Sequence, residues 1–419
     1  MPQCPEEHRV VIIGAGGAGL CTSHFLSQRG VQHIVLERGQ VANTWATERW
    51  DSFHLVNPNW AIQLPSFHYG GDDPDGFLSR DEIVAHLQRY ADHINAPVRA
   101  GVDVASLARI GETYHLTLKD GKVLRSQVVV VATGAFGPPR RPAYAARLDR
   151  SITQIHSAEY KNPGQLPAGA VLVVGSAQSG AQIAEDLQDA GRRVYLCVSR
   201  VGRRLRRYRG RDSSWWSREM GVFDQNLDNL DPALGRRRPS GGSTHVSGGK
   251  GGHDIFLRAF CRDGMRLLGS AAGAEGHTLF LKSNLLENLR IADGAAENFR
   301  QKVDRYIAEN GLDIPPDDNP DPPGLDRWPG SESPDRINLE SEGITSIVWA
   351  TGFGYNYDWI DLPVGDKHGY PVQERGVTRW PGLYFMGLQW MYGTNSAQFY
   401  GVHEDALYIA THIAERYGT

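Results

Sequence analysis

Val10–Gly19 reads VVIIGAGGAG, and Val171–Gly180 reads VLVVGSAQSG. Each is an apolar, β-branched run that breaks into glycine and small residues. Each is followed much later by an Ala-Thr-Gly turn, at Ala132-Thr133-Gly134 and at Ala350-Thr351-Gly352. A glycine-rich strand-to-helix turn offers backbone N–H groups and the positive end of a helix to a pyrophosphate. One such turn is a weak signal. Two in this order predict a chain that holds two dinucleotides at once, with electrons passing between them.

Around the first turn the pattern is complete. Arg9–Ile13 predicts a buried strand, Leu20–Arg29 a helix ended by Gly30, and Gln32–Leu36 a second strand closing on Glu37. That puts an acid about 20 residues past the glycines, where it accepts hydrogen bonds from ribose hydroxyls, as suits the adenosine of FAD. Gly14 permits the sharp turn, Gly16 admits the pyrophosphate and Gly19 allows close helix–strand packing. The second unit, 170–199, repeats this with Gly175, Ala177 and Gly180, a methyl group standing where the middle glycine was. Gln178 and Ser179 open its helix on the nicotinamide side. Ser199-Arg200 stand where an acid would select NAD, and a hydroxyl with a guanidinium suits the 2′-phosphate of NADPH. Arg203 and Arg204 are candidate helpers.

The rest of the chain is read outward from these units. Residues 38–76 are irregular and aromatic, 80–93 are helical, and 98–118 with 123–132 form an antiparallel excursion and a return strand. Helical periodicity recurs at 254–268 and 285–310, and 315–336 read as an exposed crossover. A strand at 343–350 and a helix from Gly401 close the chain. The fold class expected is α/β, with two Rossmann-like three-layer dinucleotide-binding domains in a glutathione-reductase-like arrangement. The expected limits are a discontinuous FAD domain, 1–165 plus 335–419, and an NADPH domain, 166–334, with an insertion at 205–330.

Composition narrows the class. A chain of 419 residues with 40% apolar and 22% charged content suits a globular protein of more than one domain. Its net charge of −4 gives no general attraction to nucleic acid or to an anionic membrane. The arginines between Arg203 and Arg211 then read as a solvated face beside the NADPH phosphate. No signal peptide and no membrane-spanning run is read, and the four cysteines (Cys4, Cys21, Cys197, Cys261) are scattered, so a cytoplasmic location is expected. His54, His68, His253 and His403 have no metal-ligand spacing, and no metal is expected.

Flavoproteins that reduce disulfides need a cysteine pair close after the first unit. Glu37–Trp50 contains none, so reduced flavin must pass its electrons elsewhere, and dioxygen is the natural acceptor.

The two fingerprints, Trp45, His156-x3-Tyr160 and Ala350-Thr351-Gly352-Phe353 together resemble the flavin-containing monooxygenase superfamily, within it the YUCCA-like bacterial branch. LVNPNWAIQLP and GDDPDGFLSRDEIVAHLQRYA resemble bacterial members from nitrilase-linked clusters. The family motif FxGxxxHxxxY/F is incomplete, because Arg150 and Ile152 replace its Phe and Gly. The resemblance implies hydride transfer from NADPH to FAD, formation of a C4a-(hydro)peroxyflavin, and transfer of one oxygen atom to a small organic substrate. The target is nitrogen, sulfur or a carbonyl-type carbon, an indole-3-pyruvate-like oxo acid being one possibility. Small molecule and O2 are the partners it implies, in a homodimer. Open alternatives are an NADPH-dependent flavin dehydrogenase or oxidase, and a non-catalytic redox sensor.

The resemblance also implies FAD contacts at Gly17, Arg38, Trp45, Val104, Thr133, Gly134, Thr351, Gly352, Gly387, Leu388, Ser396 and Ala397. Asn57 and Gln178 are its catalytic candidates. Asn57 reads equally well as a plain Asn-Pro turn. Trp390 and Tyr392 line a pocket or fill a core, and so do Trp215-Trp216. His156 reads as a hinge histidine satisfied by backbone groups.

Overall fold

Val10, Val11 and Ile12 are fully buried, as are Val128, Val129 and Val130, and the two runs pair in parallel. A strand buried on both faces needs apolar residues at every position, which is why these runs do not alternate. In the computed structural model, which describes residues 6–229, 244–317 and 320–418, they centre a seven-stranded sheet. Its order is 98–100, 33–37, 6–13, 123–131, 113–118 and 104–110, with 383–385 also paired to 123–131. The helix Gly17–Gln28 packs against the C-terminal helix Val402–Tyr417 on this sheet. The helix Arg80–His93 starts with a capping box between Ser79 and Glu82, which satisfies the amides its first turn leaves free.

The second sheet is wholly parallel, in the order 266–268, 194–197, 170–174, 344–349 and 153–156. Alternate residues leave opposite faces of a strand. Val171 and Val173 join Ala181, Leu187, Leu285 and Leu289 on one face. Leu172 and Val174 join Leu279, Ile337 and Trp349 on the other, under the antiparallel strands 271–275, 278–281 and 336–338. Two three-layer units result, as the fold class anticipated.

Strand pairing moves the expected domain limits. Residues 153–156 and 344–349 were assigned to the first domain, yet both lie in the second sheet, where Val171 pairs with Ser346 and Trp349 with His156. Hydrogen bonding decides membership of a sheet, and distance along the chain does not. The helix expected across 254–268 is also corrected. Only Leu257–Arg262 is helical, and Gly264, at φ +103°, turns the chain into the strand Arg266–Leu268.

The described residues of 200–254 fold into short strands (202–203, 207–208, 211–212, 244–247 and 253–254) around the helix Ser213–Glu219. A satellite core holds it to the long helix Leu285–Glu309: Trp216 is fully buried with Leu205, Tyr208, Ala296 and Val303. Trp216 therefore fills a core and does not wall a pocket. No described helix is long and apolar enough to cross a membrane. Cys4 lies outside the described residues.

Candidate cofactor cleft

The two fingerprints close in the same way. Gly14, at φ +111°, lies so near Ala132 that a Cβ there would stand 2.4 Å from the Ala132 carbonyl oxygen. Gly175, at φ +103°, has the same relation to Ala350, at 2.5 Å. Each Ala-Thr-Gly turn thus packs directly on the first glycine of its own fingerprint, which no side chain would permit. Gly19 and Gly180 lie against the carbonyls of Gly14 and Gly175, which binds each helix closely to its turn.

Neither helix carries a capping side chain, although the first amides of a helix have no partner within it. A Cβ at Gly16 would meet nothing within 4 Å. Free N–H groups and open space therefore remain where a pyrophosphate would lie. Gly17 is different, since a Cβ there would strike the ring of Phe399. Ala177 stands at the N-cap of the second helix, followed by half-buried Gln178 and Ser179.

Glu37 ends the strand His33–Glu37, and its carboxylate accepts from Ala15 N–H at 2.8 Å and from Gly39 N–H at 3.1 Å. These bonds fix its orientation before any ribose arrives. Val104 begins the strand Val104–Ile110 in the same sheet, near the Val102 N–H that donates to the Glu37 carbonyl at 2.9 Å. Arg38 points outward into an ion pair with Glu48 at 2.7 Å. Thr133 and Gly134 are exposed at the first turn. The half-buried Thr351 donates its hydroxyl to the Arg140 carbonyl, and Gly352 accepts from Arg140 N–H at 2.9 Å.

The C-terminal contacts are rearranged. Gly387 abuts Ala18 of the first fingerprint helix, and the Leu388 side chain is buried, so only its backbone is free for a ligand. Ser396 is also buried. Its hydroxyl accepts from Tyr392 and Gly393 N–H at 3.0 and 2.9 Å and faces the Asp405 carboxyl, which burial raises to about 6. Ser396 thus braces its own turn, and exposed Ala397 is its accessible neighbour. Trp45 stacks on Phe399 at 5.8 Å, beside the Arg49 guanidinium at 5.3 Å.

At the 2′-phosphate position the arginines part company. Arg200 is exposed and has no partner among the described residues. Arg203, expected to help it, is only 3% exposed and is clamped by Asp321 at 2.5 Å and Asp254 at 3.2 Å, with Phe256 stacked at 4.0 Å. A cation so neutralised is not offered to a phosphate. Ser199 exchanges hydrogen bonds with Ser176, at 2.9 and 3.3 Å, which ties the strand end to the fingerprint.

Asn57 donates from Nδ2 to Gln398 Oε1 at 2.7 Å, so it tethers the 55–58 turn to the 392–400 loop. Sequence reading missed Gln398 because nothing local distinguishes it. A separation of 341 positions between the partners leaves no spacing signal. His156 is buried with its ring satisfied by the backbone. Tyr160, the other half of the motif, donates to Asp186 at 2.6 Å and is fully buried. Tyr392 lies on the surface side, donating to Asp228 at 2.8 Å, whereas Trp390 is buried.

The family described as pyridine nucleotide-disulphide oxidoreductase matches residues 11–215. The chain is 30% identical to an uncharacterized CzcO-like oxidoreductase of Geobacillus kaustophilus, over 96% of this chain and 97% of that protein. It is 33% identical to the indole-3-pyruvate monooxygenase YUCCA1 of Oryza sativa subsp. japonica, over 45% of this chain and 47% of that protein. Its fold is similar to that of a flavin-containing monooxygenase from Stenotrophomonas maltophilia, at a TM-score of 0.64 and 19% identity, covering 98% and 99% of the two chains.

Fold and cradles thus define an oxidoreductase with two dinucleotide-binding cradles. The chain belongs to the CzcO-like oxidoreductases.

Proposed function

We propose that the protein is a monooxygenase that spends NADPH to transfer one atom of O2 to a small organic substrate, at nitrogen, sulfur or a carbonyl carbon. The observation that carries this reading is the pair of dinucleotide cradles with no thiol relay beside them. Among the described residues, Cys21, Cys197 and Cys261 belong to three separate hydrophobic clusters. Burial pushes Cys21 and Cys197 up to about 12 and raises Cys261 as well, so none is a ready thiolate. Among the described residues, electrons reaching the flavin therefore have no protein disulfide to enter, which supports O2 as their acceptor.

Bound FAD and NADPH supply the hydride transfer and oxygen activation. The chain's own residues bind, orient and shield. The amides of residues 16–18 and 177–179 face the two pyrophosphates, with Gly16 and Ala177 lining the approach. Glu37 holds the adenosine ribose of FAD, and Arg200 selects NADPH through its extra phosphate. Thr133, Gly134, Thr351 and Gly352 form the turns over which the two cofactors meet. Asn57 and Gln178 flank the reacting edge, where excluding water protects the oxygenating species. The FAD domain comprises about 1–137 with 355–419, and the NADPH domain about 138–354, divided where Pro139 pairs with Phe353. The assembly is a cytoplasmic homodimer.

Stopped-flow mixing of the NADPH-reduced holoenzyme with O2 tests the reaction. A transient absorbing species between reduced and oxidised flavin, with one 18O atom from 18O2 in the product, supports oxygen transfer. Direct reoxidation with all electrons recovered as hydrogen peroxide marks a dehydrogenase or oxidase instead.

A further inference from the structure

The loop 392–400 is held from two sides. At its far end it lies against the first cradle, where a Cβ at Gly17 would stand 2.8 Å from Phe399 Cε1. The Phe399 ring also stacks on Trp45, and its carbonyl accepts from Gln63 N–H at 3.2 Å. Gln398, one residue earlier, accepts from Asn57. This end of the loop therefore covers the start of the helix Gly17–Gln28, beside the open space at Gly16.

The near end is held by the nicotinamide unit. The core around Trp216 binds the helix Ser213–Glu219 to the long helix Leu285–Glu309, and a tight turn at Val222–Asp224 leads the chain away. The chain then runs antiparallel to the loop, with Asn226 opposite Gly393. Leu227 N–H donates to the Tyr392 carbonyl at 3.0 Å, and Thr394 N–H to the Gln225 carbonyl at 2.9 Å. Side chains reinforce this bridge. Thr394 Oγ1 donates to the Gln225 carbonyl at 3.0 Å, and Asn395 Nδ2 to the Phe223 carbonyl at 2.9 Å. The Tyr392 hydroxyl donates to the Asp228 carboxylate at 2.8 Å, and the Phe223 ring meets Tyr400 at 4.9 Å.

This bridge is specific in register yet weak in substance. Gln225, Leu227 and Asp228 are exposed, so their bonds compete with water and each contributes little. Such a contact opens locally, without unfolding the core on either side of it. That combination suits a part that must let go.

We propose that 223–228 is a clasp for FAD. The nicotinamide unit holds down the loop that covers the first cradle, and FAD enters and leaves when the clasp is open. The inference rests on the assignment of the first cradle to FAD under the proposed function. It gives the nicotinamide unit a part in retaining the flavin, apart from any delivery of hydride.

The test locks the clasp. A Cβ at Gly393 would lie 3.9 Å from the Asn226 Cβ, a separation that disulfide-bonded cysteines adopt. The full chain carrying Asn226→Cys and Gly393→Cys is loaded with FAD and closed with oxidised glutathione. Closure is read by mass, as the loss of two thiol hydrogens. Release is followed as FAD in the filtrate after dilution into flavin-free buffer. The locked protein is expected to release FAD about tenfold or more slowly than the same protein reopened with dithiothreitol. Wild-type release is expected to ignore both reagents. Asp228→Ala removes one clasp bond from an exposed side chain and is expected to speed release by about threefold.

Equal release from locked and reopened protein overturns the proposal, and so does failure of the two thiols to join. Should the cysteine variant not fold, Asp228→Ala decides, and unchanged release overturns the proposal. A wild-type chain that binds no FAD removes the flavin assignment and the clasp together. Bound FAD with equal release removes the clasp alone. Neither readout depends on oxygen transfer, so a slow-releasing lock on a flavin oxidase keeps the clasp and loses the oxygenase reading.

Discussion

The Nε2–H of His156 donates to the carbonyl oxygen of Gly352 at 3.1 Å, joining the edge strand 153–156 to the Ala-Thr-Gly turn of the NADPH unit. The other ring nitrogen accepts from Ala158 N–H at 3.2 Å, which fixes the tautomer and spends both nitrogens on the backbone. The ring also meets Phe353 edge-on at 5.1 Å. His156 is therefore a neutral strut that shapes the cofactor turn, and burial lowers its proton affinity.

That property extends to other buried imidazoles and gives stability a pH dependence. Burial lowers His86 and His245 to about 4 from an ordinary 6.5. Below pH 6.5 the unfolded chain binds protons that the native state refuses, so stability falls as pH drops towards about 4. The slope is about 1.4 kcal/mol per pH unit for each such group. Asp405, raised to about 6, acts in the opposite sense, because the native state takes up its proton first. Denaturant titrations between pH 7.5 and 4.5 should show the net loss. His245→Asn should flatten the slope by about one proton, and an unchanged slope would contradict the assignment.

Gly14 and Gly16 should fail differently when replaced by alanine. Gly14→Ala puts a methyl group against the Ala132 carbonyl at positive φ, so the expected outcome is insoluble or unfolded protein. Gly16 has φ −86° and open space around it, so Gly16→Ala should fold with an unchanged apo melting temperature. Its FAD affinity should fall by about tenfold, because the methyl group occupies the pyrophosphate approach. Circular dichroism and fluorescence titration with FAD separate the two cases.

Arg200 and Arg203 make a second contrasting pair. Arg200→Ala should raise KM for NADPH by about tenfold or more, with little change in that for NADH, since it removes a phosphate contact alone. Arg203→Ala leaves Asp254 without its cation and Asp321 with Arg300 alone. It should cost about 3 kcal/mol of stability, read by urea unfolding. A normal Tm in R203A with a selective NADPH defect would reverse these roles.

Asn57 and Gln398 should behave as one unit. Asn57→Ala and Gln398→Ala each free the 55–58 turn from the 392–400 loop, so each should raise the share of NADPH electrons lost as hydrogen peroxide. The double variant should be no worse than either single one, because the same bond is broken. Peroxide yield per NADPH consumed measures all three, and additive effects would show that the bond is not the shared cause.

Much of the cofactor framework was legible in the sequence. Glu37 was placed at a strand end by its distance from the glycines, and 80–93 was read as helical, the Ser79–Glu82 capping box emerging only in the structure. The C-terminal contacts were less legible: Ser396 was expected to face FAD, yet its hydroxyl bonds inward to Tyr392 and Gly393. A run of arginines looks uniform in sequence, and its members are distinguished by Asp254, Asp304 and Asp321, brought in from distant segments, and by Asp212 nearby.

By itself the sequence determined the two strand–turn–helix cradles, because a glycine turn and the strand and helix beside it obey backbone rules within about 30 residues. Tertiary structure alone decided that 344–349 pairs beside 170–174, which arginines are clamped by carboxylates, and which histidines are struts. Those outcomes depend on partners distant in sequence, whose desolvation and hydrogen bonding exist only once the sheets have packed.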